Sequence, residues 1–85
     1  MIAFLTLELR IEAAQSLKDR LRTSFNVSVA ELEPGSLWNQ ATIGVVSISS
    51  SRDYLDGLMK NVERQAARIA NNHGAELVDS YLEFL

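Results

Sequence analysis

The chain has no cysteine, one proline, one histidine and one tryptophan among its 85 residues. Without cysteine there is no disulfide framework and no thiol nucleophile, and a lone histidine leaves no Cys/His cluster for a structural metal. Long apolar runs are missing too. Ile2 to Leu7 is the greasiest early stretch, but no basic residue precedes it and Glu8 and Arg10 follow. A signal peptide needs a positive start and a longer apolar run, and a membrane span needs about 20 apolar residues. These absences point to a soluble, cytoplasmic protein forming a single domain over residues 1–85. A chain this short has one small core, and packing against a second copy is a common remedy.

With 47% hydrophobic and 22% charged residues, the composition is that of a folded domain, not a disordered tail. The net charge of −3 argues against an indiscriminate nucleic-acid binder. The average conceals a pattern, however. Seven basic residues (Lys18, Arg20, Arg22, Arg52, Lys60, Arg64 and Arg68) fall in two helix-patterned stretches that hold four acids, leaving those stretches at +3. The remainder, with one basic and seven acidic residues, carries −6. If both helices cover one face of a sheet, the molecule has a basic side and an acidic side.

Alternation predicts a first strand over Ile2–Ile11, with Ala3, Leu5, Leu7, Leu9 and Ile11 on one side. Leu17, Leu21 and Phe25 recur every four residues, which predicts a helix over Ser16–Ser24 capped by Ser16, with Asp19 as a weaker capping partner. The helix-tolerant run Glu12–Gln15 allows a start one turn earlier. Between Ser24 and Asn26 the period changes to two, and Val27 and Val29 mark a strand over Asn26–Leu32. Glu33-Pro34-Gly35-Ser36 predicts a turn. Leu37–Ser49 predicts a third strand, and Gly44 leaves open which side faces the helices. Leu55, Leu58, Met59, Val62, Ala66 and Ile69 form the stripe of a second helix, opened by Ser50 or Ser51 and closed at Gly74. Glu76–Leu85 predicts the last strand.

The resulting order, βαββαβ, carries two strand–helix–strand units that favour right-handed crossovers. The economical solution is α+β: a ferredoxin-like sandwich with four antiparallel strands, the first and third central, and both helices on one face.

Phe25-Asn26-Val27-Ser28-Val29-Ala30-Glu31 is the most specific run in the chain. Together with Leu7-Glu8-Leu9-Arg10-Ile11, Ser16-Leu17-Lys18, Leu37-Trp38 and Gly44-Val45, it resembles the YlxP-like family, small bacterial proteins catalogued as a domain of unknown function. The resemblance implies the same ferredoxin-like fold. Family members are often encoded beside translation factors and ribosome-maturation proteins, which implies an RNA or ribosome context. The family's first helix is longer and denser in lysine and arginine. Here Lys18-Asp19 runs straight into Arg20-Leu21-Arg22, as though a basic segment had been cut out between Asp19 and Arg20. The alternatives are a shortened helix and residues missing at that junction.

Candidate chemistry is sparse. His73, beside Gly74 at a helix end, suits the negative helix terminus better than a catalytic or metal-binding role. The serines would all have to recruit that one histidine, so nucleophilic catalysis lacks a set. Glu31/Glu33 and Asp53/Asp56 could pair, but such carboxylates usually belong to solvated surface. Ser49-Ser50-Ser51-Arg52 could hold a phosphate at a helix start, although ordinary capping accounts for it without the glycines and lysine of a P-loop. The third strand lacks the basic–Gly–aromatic pattern of an RRM. No cofactor, metal or catalytic residue is expected.

Two surfaces remain. Lys60, Arg64 and Arg68, four apart, line one helical ridge, and Lys18 and Arg22 on the neighbouring helix would add a second row. The first expectation is therefore a non-enzymatic RNA- or ribosome-associated protein that contacts phosphates through these five residues. The rival is a homo-oligomeric interaction scaffold working through the sheet face that the helices leave open. If Val78, Leu82 and Phe84 face the helices, the open face carries Ile2, Phe4, Thr6, Leu77, Tyr81 and Leu85, with Trp38 near its rim. A contiguous apolar patch there would make a homodimer, or a higher even assembly, joined sheet to sheet.

Overall fold

The structure is a computed structural model that describes residues 1–12, 14–32 and 39–85. Its elements are β1 (Ile2–Arg10), α1 (Ala14–Ser24), β2 (Ser28–Leu32), β3 (Gln40–Ile48), α2 (Arg52–Asn72) and β4 (Glu76–Phe84). The order βαββαβ and a single antiparallel sheet ordered β2-β3-β1-β4 make this the ferredoxin-like α+β arrangement. Both helices lie on one side of the sheet. The expected turn Glu33–Ser36 and the residues Leu37 and Trp38 lie outside the described residues.

Alternation places the core. On β1, Ala3, Leu5, Leu7 and Leu9 are buried, and in register opposite three of them stand Val45, Ile43 and Ala41 of β3. This resolves the third strand: Ala41, Ile43, Val45 and Ser47 face the helices. The pairing runs through Gly44 without a shift, and on the open face a Cβ there would come within 3.2 Å of the Leu32 side chain. Ser47, the one buried polar residue among those described, donates its hydroxyl to the Asn26 carbonyl at 2.9 Å.

Helix α2 buries Leu55, Met59, Val62, Ala66, Ile69 and Ala70. Leu58 belongs to the stripe in sequence but is only half-buried at its margin. Ser51 is the N-cap, its hydroxyl accepting the Tyr54 N–H at 3.1 Å. Gly74, at φ +68°, supplies the left-handed residue that turns the chain into β4. Helix α1 buries Ala14, Leu17 and Leu21 and runs unbroken through the Asp19–Arg20 junction.

Two local expectations change. Ser16 sits inside α1, not at its cap, because the helix begins at Ala14. Asp19 accordingly lies mid-helix, where its carboxylate accepts from Gln15 at 2.9 Å and from Arg22 at 3.1 Å. The second correction concerns β4. Its pairing with β1 shifts between Glu8 and Leu9: Asp79 stands opposite Glu8, whereas Leu77 stands opposite Leu9. Val78 is the extra residue of a β-bulge, and the bulge reverses the faces. Leu77 therefore packs against the core instead of facing outward, and Val78 is exposed instead of facing the helices. Leu82 and Phe84 face the helices as expected.

Candidate functional site

Lys60, Arg64 and Arg68 are one helical step of four apart, each rotated about 40° from the last. Arg64 stands opposite the buried stripe, at the crest of α2. Lys60 leans toward β4, and its ammonium meets Asp56 at 2.8 Å. That hydrogen bond, and then the attraction of the Asp56 charge, raise the Lys60 pKa above its ordinary 10.5 against a small opposing desolvation. Glu63 turns away from the ridge and accepts the Ser80 hydroxyl at 2.9 Å, tying α2 to β4. Arg68 leans the other way, toward α1.

The two basic flanks of α1 part company. Lys18 and Arg22 lie over β2, on the side away from α2. Lys18 Nζ is 3.3 Å from Glu31 Oε1, and Arg22 Nη2 donates to the Val29 carbonyl at 2.9 Å on the free edge of the sheet. They bind the helix to the edge strand and do not form a second row beside the α2 ridge. Arg20, on the opposite flank, does face α2. It lines an open groove of about 750 Å³ between the helices, together with Ser16, Thr23, Arg68 and Asn72. Residue spacing shows that α1 has two polar flanks, but which one meets α2 depends on the crossover, so Arg20 carried no distinguishing signal. None of the ion pairs among the described residues involves Arg20, Arg64 or Arg68.

The opposite face of the sheet has another character. Register places Ser28, Val46, Phe4 and Glu83 in one row across it, and Ala30, Gly44, Thr6 and Tyr81 in the next. Ile48, Ile2 and Leu85 flank the first row, while Leu32, Thr42, Glu8 and Asp79 continue beyond the second. Ile48 (71% exposed), Tyr81 (63%) and Leu85 (74%) project into solvent, and Ile2 and Phe4 are half-buried among them. Of the expected apolar set, Ile2, Phe4, Tyr81 and Leu85 are thus on this face. Leu77 is not, and Trp38 lies outside the described residues. Val46 and Ile48 were hidden from sequence reading by the ambiguity at Gly44. Among the described strand residues, every charge on the face belongs to β1 or β4: Glu8, Arg10, Glu76, Asp79 and Glu83.

The remaining candidates find structural employment. Ser49 accepts the Ser51 N–H at 3.1 Å, Ser51 caps α2, and the Arg52 guanidinium stacks 4.3 Å above the Phe84 ring. Two of these serines thus serve the turn and the cap of α2, and Arg52 lies against Phe84. The His73 N–H donates to the Ala70 carbonyl at 3.0 Å, closing α2. Among the described residues no group of three or more His, Asp or Glu side chains could hold a metal ion. Glu33, the expected companion of Glu31, lies outside them. No helix among the described residues is long and apolar enough to cross a membrane.

No curated protein matches the chain. One family model, described as "Protein of unknown function (DUF503)", matches residues 2–82 and so takes in every element but the last two residues of β4. With nearly its whole length matched, the chain belongs to this family, DUF503.

Proposed function

We propose that the protein is a non-enzymatic RNA- or ribosome-associated accessory protein that contacts phosphates through the outer face of its helices. The observation carrying this reading is the row Arg20, Arg68 and Arg64, three guanidiniums outside every ion pair among the described residues, continued by the exposed Lys60. Lys18 and Arg22 border the surface and contribute less, because Glu31, Asp19 and the Val29 carbonyl already engage them. Cations that contact phosphates position a protein on the nucleic-acid backbone and do not read base sequence. The ribosomal context comes from the narrower YlxP-like resemblance, which also supports a bacterial, cytoplasmic setting.

Anisotropy titration of a labelled ribosomal RNA fragment across salt concentrations tests this. Arg20→Glu/Arg64→Glu/Arg68→Glu should weaken binding at least tenfold at low salt. It should also flatten the salt dependence, by about 0.7–0.9 in log–log slope for each phosphate no longer neutralised. Wild-type affinity in that variant would move the contact elsewhere. Absence of binding by the native protein at low salt would refute the reading.

A second reading, a homo-oligomeric scaffold acting through the open sheet face, is favoured by the outward Phe4, Tyr81 and Ile48. Apolar surface of this kind, gathered in adjoining rows, marks an interface more often than a solvated sheet.

A further inference from the structure

We infer that the open sheet face joins two copies of this chain about a two-fold axis parallel to the strands, midway between β1 and β3. This rests on the second reading above, that the face is an interface, and adds its occupant, symmetry and contacts. The argument begins with charge. All five outward charges of the described strands (Glu8, Arg10, Glu76, Asp79 and Glu83) stand on β1 and β4, whereas β2 and β3 present only Ser28, Ala30, Leu32, Gln40, Thr42, Gly44, Val46 and Ile48. A two-fold along the strands lays β1 over the partner's β3 and β4 over its β2. Glu8, Arg10 and Glu83 then meet Thr42, Gln40 and Ser28 of the other copy, Asp79 meets Leu32, and none of these four charges confronts another charge. A two-fold across the strands would instead lay the Glu8–Arg10 end over the Ile2–Phe4 end and desolvate charges against apolar side chains.

Size distribution points the same way. In the two central rows the bulky outward side chains Phe4 and Tyr81 stand on β1 and β4, and the smaller Ser28, Val46, Ala30 and Gly44 on β2 and β3. The axis therefore sets Phe4 over Val46 of the other copy, and Tyr81 toward Ala30. Area is sufficient when the whole face takes part. The strands hold 9, 5, 9 and 9 residues. At ~3.4 Å per residue and ~4.8 Å between strands the face measures roughly 520 Å², so two faces cover on the order of 1,000 Å², the size at which specific interfaces begin. The assembly is a four-layer helix–sheet–sheet–helix sandwich that turns its two basic helical faces outward on opposite sides.

Sedimentation velocity at micromolar concentration tests the proposal. The native protein should run as a dimer, and Phe4→Glu and Val46→Lys should each run as monomers. Mixing these two variants should restore a dimer, because the introduced carboxylate of one copy then faces the introduced ammonium of the other. Tyr81→Glu, at an exposed position that the fold does not need, should also weaken association while leaving the far-UV spectrum and melting curve native. A native monomer, or a dimer indifferent to Phe4→Glu and Tyr81→Glu, would overturn both the dimer and the interface reading. Dissociation by Phe4→Glu without restoration on mixing would overturn the axis alone.

Discussion

Lys18 Nζ lies 3.3 Å from Glu31 Oε1, joining the middle of α1 to the edge strand β2 with only 13% and 26% of the two side chains exposed. Four residues on, Arg22 reaches the Val29 carbonyl of the same strand. An open sheet edge is a template for unwanted pairing, and these two side chains cover part of it. The cycle Lys18→Met, Glu31→Gln and both together should show a coupling of about 1 kcal/mol in urea melts, more than a fully exposed pair provides. Additive effects would mean that the ion pair is incidental. Lys18→Met should also change RNA affinity far less than Arg64→Glu.

Leu21 has no exposed surface and sits between α1 and the sheet. Leu21→Ala should cost about 2–5 kcal/mol through the forfeited transfer energy and the cavity left behind. Leu58→Ala, at a half-buried margin of α2, should cost well under half as much. Equal destabilisation in chemical denaturation would show that the core does not end where burial places it.

Two glycines of the second half should respond to alanine with opposite signs. Gly57 lies within α2 with nothing within 4 Å of a built Cβ, so Gly57→Ala should stabilise by about 0.8–1 kcal/mol through helix propensity. Gly74 also has open space, but its φ of +68° strains any residue bearing a Cβ. Gly74→Ala should destabilise by about 1 kcal/mol. Thermal melts of the two variants, shifted in opposite directions, check both.

Lys60 offers a pH observable. Its pKa is raised by Asp56, so the folded form holds this proton more tightly than the unfolded chain does. The pair's contribution is present below the ordinary value of 10.5 and fades as pH rises through the higher folded value. Asp56→Asn should lower the Lys60 midpoint followed by side-chain NMR. Because the ammonium is exposed, melting temperatures at pH 7 should hardly move. An unchanged midpoint would show that the pair does not persist in solution.

Periodicity and capping residues carried most of the architecture. The buried side of β1, the α2 stripe, Ser51 or its neighbour as cap, and Gly74 as terminator were all legible, since each depends on neighbours within a few residues. The order of elements then left few topologies. The faces of β3 and β4 were not legible, for different causes. Gly44 interrupts the side-chain record of β3, and only pairing with β1 assigns Ile43 and Val45 inward and Val46 and Ile48 outward. On β4, alternation has no memory across a bulge: the extra residue Val78 sends Leu77 into the core while β4 stays paired with β1 on both sides of Glu8. The basic surface divides in the same way. Spacing alone put Lys60, Arg64 and Arg68 on one ridge, but the choice between Lys18–Arg22 and Arg20 as its neighbours depended on which flank of α1 the crossover turns toward α2. That choice involves packing between segments some fifty residues apart in the chain, where local pattern has no reach.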